Sequence, residues 1–135
     1  MPKRTSTLQH SKRVETQVAR YLFGPEAARD WTERHDISGE DNEGRLWRGE
    51  VKDLSPETIR ERGGLLKVGE AALRQVEATP GEGRPFAVVH VKRQRLEDAC
   101  AAVRYCQRQH VIAMPLAHFR ASWLMFEEGE TDGEE

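Results

Sequence analysis

Glu50 and Lys52 lie at the end of a short run, residues 46–52, and their types could support chemistry on a phosphate group. The run is predicted as a β-strand, and side chains alternate between the two faces of a strand. Glu50 and Lys52 would therefore share one face with Arg48. A carboxylate beside an ammonium group at a strand end can hold a divalent cation and position a water molecule.

Asp36 lies fourteen residues before Glu50, in a predicted turn region. Hard cations such as Mg²⁺ prefer carboxylate oxygens together with backbone carbonyls and water. Asp36 and Glu50 would each supply an oxygen, and the Val51 carbonyl would supply a third. Lys52 would orient the attacking water or stabilise the developing negative charge. Three further acidic residues of the same turn region stay open as rivals to Asp36: Glu40, Asp41 and Glu43.

Helices and strands alternate around these residues. A first helix is predicted from the N-cap Ser11 to about Phe23, and Glu15 lies at the rim of its apolar face, where a carboxylate could face a cleft. The rest of the chain is predicted as strands at 30–35, 46–52, 85–92 and 110–114, a turn region at 36–44, and helices at 65–78, at 96–107 and after Pro115. This order predicts an α/β sandwich around a small mixed sheet.

The charge of the chain is unevenly distributed. Residues 127–135 carry six acidic and no basic residues, which leaves a formal charge of +4 on residues 1–126. A basic body with an acidic tail is typical of proteins with an anionic partner, most often nucleic acid, although codon bias toward arginine is an alternative explanation. We expect a flexible basic arm at 1–10, one folded domain at 11–126 and a disordered acidic tail at 127–135.

Hydropathy and cysteine usage indicate the compartment. The chain has no run of about 18 apolar residues, so no membrane span is predicted. No apolar signal core follows the basic N-terminus. Cys100 and Cys106 fall in one predicted helix and face different directions, which predicts reduced thiols rather than a disulfide. We therefore expect a cytoplasmic protein.

The order and spacing of these residues resemble those of the PD-(D/E)xK nuclease superfamily, most closely the archaeal and phage Holliday-junction resolvases. In that family a glutamate on the first helix precedes an aspartate in a turn, a hairpin, and a Glu-x-Lys motif that ends the next strand. Glu15 matches the first of these, Asp36 the second and Glu50-Val51-Lys52 the third. The resemblance covers roughly residues 11–92.

The resemblance implies a restriction-endonuclease-like core, in which a small central mixed sheet is flanked by helices. It implies a Mg²⁺-dependent DNA endonuclease, with Mn²⁺ able to substitute, that acts as a homodimer on branched or four-way DNA. Asp36, Glu50 and Val51 would hold the metal, and Lys52 and Glu15 would complete the catalytic set. A phage-encoded enzyme would act in the host cytoplasm. The candidate DNA contacts are Arg13, Ser38, Arg48, Gln75 and Lys92.

Two other functions stay open. A non-catalytic nucleic-acid-binding subunit could keep the nuclease fold and use its acidic tail to hold a partner. A restriction-type or repair nuclease would keep the chemistry and change the DNA substrate. Three of the predicted DNA contacts also have structural explanations, since Ser38 suits a turn, Gln75 a solvated helix face and Lys92 the end of an apolar strand.

Overall fold

The computed structural model describes residues 2–25, 27, 36–41, 43–104 and 110–121, with side chains from residue 12 onward. The helices are α1 (Pro2–Phe23), α2 (Pro56–Glu61), α3 (Leu65–Ala78) and α4, described over residues 116–121. The strands are β1 (Ile37–Glu40), β2 (Leu46–Leu54), β3 (Arg84–Val91), β4 (Cys100–Arg104) and β5 (Val111–Pro115), and a 3₁₀ turn covers Leu96–Asp98.

The five strands form one mixed sheet in the order β1-β2-β3-β4-β5. Only β2 and β3 are parallel, and α2 and α3 form the crossover that a parallel pair requires. The other three pairs are antiparallel. The predicted α/β fold with a small mixed sheet flanked by helices is therefore confirmed.

Helices cover both faces of the sheet. Val14 and Val18 of α1 and Phe119 of α4 pack with Trp47 and Phe86 in the largest cluster of buried residues. On the opposite face, Leu73 and Ala72 of α3 pack on Ala87. Residues 86–90 of β3 are buried, which confirms the prediction of a central strand covered on both sides.

Gly49 and Gly39 make room for aromatic rings beneath the hairpin formed by β1 and β2. A Cβ atom on Gly49 would lie 2.4 Å from Cζ of Phe86, and one on Gly39 would lie 2.3 Å from Cγ of Phe23. Real Cβ atoms essentially never approach a carbon so closely, so only glycine fits at either position. The Phe86 ring thus packs directly under β2, the strand that contains Glu50, and the Phe23 ring packs under β1.

Three predicted elements are wrong in type or extent. The first helix begins at Pro2 rather than Ser11, so the segment expected to be a flexible arm has a helical backbone. The predicted turn region contains β1, because residues 37–40 pair with β2. The predicted helix at 96–107 is replaced by the 3₁₀ turn and β4, where Cys100–Val103 pair with β3 and are buried. There, burial and ladder pairing override the helix propensity of alanine.

Other expectations meet the structure only in part. Cys100 is a buried free thiol on β4, and burial raises its pKa. Cys106, the predicted strand at 30–35 and the acidic tail at 127–135 lie outside the described residues. None of the helices in the described part of the chain has the length and apolar character that a membrane span requires.

Candidate functional site

The fold brings Asp36, Glu50 and Lys52 together beside β2. The Asp36 amide donates to the Gly49 carbonyl at 3.1 Å, directly before the β1–β2 ladder, which begins with Ile37 opposite Gly49. The Val51 amide donates to Oδ2 of Asp36 at 2.8 Å. Nζ of Lys52 lies 3.4 Å from Oε1 of Glu50. Three residues predicted to act together thus lie in one continuous group of contacts.

The electrostatics of this group favour a bound cation or proton. Burial raises the pKa of Glu50, and the negative charge of Asp36 raises it further, while the Lys52 ammonium partly opposes both effects. The Glu50 side chain is only 18% exposed. Two carboxylates face one ammonium group, so the group carries excess negative charge when both acids are ionised.

The donor set fits magnesium by its chemistry. Mg²⁺ is commonly held by one or two carboxylates and keeps several of its waters. Asp36 and Glu50 supply two carboxylates. The amide and carbonyl of one strand residue point to the same edge, so the Val51 carbonyl faces the edge at which Val51 binds Asp36. Within the described residues, no three His, Cys, Asp or Glu side chains lie close enough to form a larger metal-binding group.

Glu15 lies on α1 and is half-buried. Its neighbours on α1, Val14 and Val18, pack in the same cluster as Trp47 and Val51 of β2. Glu50 and Lys52 alternate with these two residues along β2 and project from the other face of the strand. The catalytic role that the resemblance implies for Glu15 stays a prediction.

Hydrogen bonds and exposure distinguish the rival carboxylates from Asp36. Oδ1 of buried Asp41 accepts from the amides of Glu43 and Arg45 at 2.9 and 3.0 Å, and Oδ2 accepts from the Trp47 indole at 2.9 Å. These three donors tie the hairpin loop to the core. Asp41 is therefore a structural residue, while Glu40 and Glu43 are exposed.

Arg48 is also structural. It is 8% exposed, and its guanidinium donates to the Gly83 carbonyl at 3.1 Å and to the Thr79 carbonyl. These bonds fasten β2 to the loop between α3 and β3. Because the guanidinium is buried and hydrogen-bonded to backbone carbonyls, we do not expect Arg48 to contact DNA.

The remaining predicted DNA contacts are dispersed over the molecule. Ser38 is half-buried and lies opposite Arg48 in the β1–β2 register, on the side-chain face of Glu50. Gln75 is exposed on α3, and Lys92 is half-buried just after β3, where its amide donates to the Leu54 carbonyl at 2.9 Å. Arg13 is exposed on α1. Of these four, Ser38 shares a strand face with the acidic pair.

A buried polar pair, Asp53 and His90, was not predicted. Nδ1 of His90 lies 2.9 Å from Oδ1 of Asp53, whose side chain is 1% exposed. The parallel register places the two residues opposite each other on β2 and β3. Strand alternation from Glu50 and Lys52 would have placed Asp53 on the buried α1 face, and a buried carboxylate there requires a partner.

No family model, curated protein or solved structure matches this chain.

Proposed function

We propose that this chain is a Mg²⁺-dependent DNA endonuclease with a restriction-endonuclease-like core, of the PD-(D/E)xK type, acting on branched or four-way DNA. The observation that carries the proposal is the contact group of Asp36, Glu50 and Lys52, in which the pKa of Glu50 is raised by burial and by Asp36. Perturbed carboxylates paired with a lysine are typical of sites that bind and activate charged groups.

Each residue has a distinct role in this proposal. Asp36 and Glu50, with the Val51 carbonyl, would hold Mg²⁺, and the bound ion would relieve the repulsion between the two carboxylates. The bound ion would lower the pKa of a coordinated water and stabilise the charge of the phosphate. Lys52 is 30% exposed, so its ammonium can donate to a water or phosphate oxygen while it stays beside Glu50. The Val51 amide holds Asp36 in position through its hydrogen bond.

A homodimer follows from the proposed substrate. Cutting two opposed strands of a junction with one site per chain requires two chains related by symmetry. DNA binding by the site requires cations outside the acidic pair, and the Lys52 ammonium beside Glu50 is a group on that face that can contact a phosphate.

The test is cleavage of an end-labelled four-way junction by the full chain, in Mg²⁺ and in EDTA. We expect Mg²⁺-dependent cleavage that Glu50→Gln abolishes while junction binding persists. Glu40→Gln is the matched control, because Glu40 is an exposed acid of the same hairpin outside the contact group. Undiminished cleavage by Glu50→Gln in Mg²⁺ would refute the assignment.

A second candidate function is favoured by one observation: within the described residues, the Asp36–Glu50 pair is not joined by a third His, Cys, Asp or Glu side chain in a metal-binding group. A site with two carboxylates could hold a cation and bind DNA without turnover, as in a non-catalytic subunit with a nuclease-like fold. Binding of the junction without cleavage in either Mg²⁺ or Mn²⁺ would support this candidate. Comparing a junction, a flap and a plain duplex would separate a resolvase from a restriction-type or repair nuclease.

A further inference from the structure

An open groove of about 840 Å³ lies between α1 and the turn that follows β3. Three arginines line it: Arg13 and Arg20 from α1, and Arg93 from the turn. None of the described residues that line the groove is acidic. The volume lies within the range of sites that bind small molecules.

The groove is separate from the Asp36–Glu50–Lys52 group. His90, which also lines the groove, pairs with Asp53 on the α1 face of the sheet. Glu50 and Lys52 project from the face that α3 covers, because neighbouring residues of β2 alternate in direction. A ligand in the groove would therefore bind on the opposite side of the sheet from the acidic pair.

The α1 wall of the groove presents its side chains as one stripe. Arg13, Gln17 and Arg20 are spaced by four and three residues, so they lie on the same side of the helix, and all three are exposed. Within the described part of the chain, neither of these arginines nor Arg93 forms an ion pair with a carboxylate. Among its described lining residues, the groove thus gathers three arginines and no carboxylate.

The opposite wall is held in a strained conformation. Arg93 has φ of 76°, in the left-handed region that non-glycine residues rarely adopt. The turn is fixed by the Gln94 amide, which donates to the Val91 carbonyl at 3.0 Å, and by Nε2 of His90, which lies 2.9 Å from the Gln94 carbonyl. Strain that the surroundings enforce at an arginine is a reason to look for a function of its side chain.

His90 fixes the same wall in position. Its Nδ1 faces a carboxylate oxygen of Asp53 and its Nε2 faces the carbonyl oxygen of Gln94. These two contacts join the turn that holds Arg93 to β2 through the imidazole ring.

We propose that this groove is a phosphate-binding site, in which Arg13, Arg20 and Arg93 bind the phosphate groups of a nucleic-acid strand or of a free nucleotide. Guanidinium forks match phosphate oxygens in charge and in bidentate geometry. Gln17 and Gln94 border the arginines and can hydrogen-bond to the sugar or the phosphate. Tyr21 also lines the groove. The Arg120 guanidinium lies over the Tyr21 ring, 5.0 Å from its centroid, and is a fourth cation beside the groove.

The test measures binding by the full chain in EDTA, so that cleavage cannot contribute. The probes are a fluorescein-labelled oligothymidylate, followed by anisotropy against salt, and inorganic pyrophosphate and ATP, followed by calorimetry. We expect Arg13→Gln, Arg20→Gln and Arg93→Gly each to weaken binding about tenfold. Arg95→Gln is the matched control, because Arg95 is two residues from Arg93 and its exposed side chain pairs with Glu97 at 3.6 Å.

The two sources of phosphate give different results. If a nucleic-acid strand is the ligand, each substitution reduces the slope of log affinity against log salt by about one. If a free nucleotide is the ligand, ATP binds with one-to-one stoichiometry and competes with pyrophosphate, while the oligothymidylate binds no better than either. Equal affinity of all three groove variants and the wild type for every probe would overturn the proposal. An equal loss in Arg95→Gln would also overturn it, because binding would then reflect general positive charge.

Arg93→Gly separates binding from folding. Glycine adopts positive φ without strain, so the melting temperature of this variant should stay level or rise while binding falls. A lower melting temperature together with unchanged binding would assign Arg93 to the fold and overturn its role as a ligand-binding residue. Because these measurements use no metal, they do not depend on the proposed nuclease activity. Phosphate binding in the groove, together with no junction cleavage in the separate Mg²⁺ assay, would support this site and contradict the proposed nuclease.

Discussion

Asp36 and Asp41 flank the same four-residue strand, β1, and each accepts hydrogen bonds from backbone amides of the hairpin, yet their surroundings differ. Both oxygens of Asp41 are engaged by neutral donors, two amides and the Trp47 indole. Asp36 accepts from the Val51 amide and lies against Glu50, whose pKa its charge helps to raise. One carboxylate is surrounded by donors, and the other faces a second carboxylate.

The difference supports a structural role for Asp41 and, in the proposed nuclease, a metal-binding role for Asp36. A carboxylate whose oxygens all meet donors contributes to the fold, because its hydrogen bonds offset the cost of burial. Two carboxylates side by side are unfavourable for the fold, and a bound cation relieves that repulsion. On this argument the two aspartates should respond in opposite ways to substitution.

The largest expected effect is the loss of cleavage in Asp36→Asn. Asparagine keeps an oxygen that can accept from the Val51 amide, but it removes the charge that would hold Mg²⁺. We expect the initial rate of junction cleavage to fall at least about 10³-fold, or roughly 4 kcal/mol of transition-state stabilisation. Urea denaturation should show a free energy of unfolding close to that of the wild type.

Asp41→Asn is the matched comparison. Its rate of cleavage, corrected for the folded fraction, should match that of the wild type, since Asp41 lies in the hairpin loop and not in the acidic pair. If Asp41→Asn abolishes cleavage and Asp36→Asn does not, the roles assigned to the two ends of β1 are reversed.

The second effect, on stability, is expected in Asp41→Ala. The substitution leaves two hairpin amides and the indole nitrogen of Trp47, which is 1% exposed, without their acceptor. We expect a loss of about 3 kcal/mol in the free energy of unfolding, measured by urea denaturation. The exposed neighbour Glu40→Ala should change it by no more than about 0.5 kcal/mol. Equal losses in the two variants would remove the structural role of Asp41.

The sequence was sufficient to predict part of the site around Asp36 and Glu50. Strand alternation placed Glu50 and Lys52 on one face, and the resemblance selected Asp36, which the structure brings beside Glu50. The sequence could not separate Asp36 from Asp41, because that choice depends on the antiparallel register of a strand predicted as a turn. Periodicity placed Glu15 at the rim of the apolar face of its helix, where it is half-buried, but periodicity does not define the side of the sheet on which that face packs.

The fold was predicted best where local and tertiary signals agree. β3 is an unbroken apolar run and is central, and α3 lies at residues 65–78 as predicted. Residues 100–104 were predicted as part of an amphipathic helix, and their two alanines favour that conformation locally. Their pairing with β3 and β5 is long-range and leaves no local sequence signal. Arg48 was misassigned for the same reason, since its acceptors lie more than thirty residues away.

A third, intermediate effect tests the packing beneath the site. In Gly49→Ala the added Cβ would lie 2.4 Å from Cζ of Phe86, a ring that is 0% exposed. We expect a loss of about 2 kcal/mol in the free energy of unfolding, from the overpacking of the core. In a Phe86→Leu background the same substitution should cost clearly less, because the smaller side chain gives the Cβ room. A cost that does not depend on residue 86 would place the strain elsewhere in the hairpin.

The smallest effect, and the one opposite in sign to that of Asp41→Ala, is expected in Glu50→Gln. Burial and Asp36 raise the pKa of Glu50 above its unfolded value, so between the two values the folded state binds more protons than the unfolded state. The stability of the wild type therefore falls as pH rises through this window, and glutamine, which does not ionise, avoids the loss. In EDTA the melting temperatures of the two proteins should agree below the window, and that of Glu50→Gln should be higher above it.

Adding Mg²⁺ should raise the melting temperature of the wild type alone, because the ion stabilises the ionised pair. A difference that is constant with pH, or an equal response to Mg²⁺, would show that Glu50 is held by its neighbours as Asp41 is, and the contrast between the two acids would no longer hold.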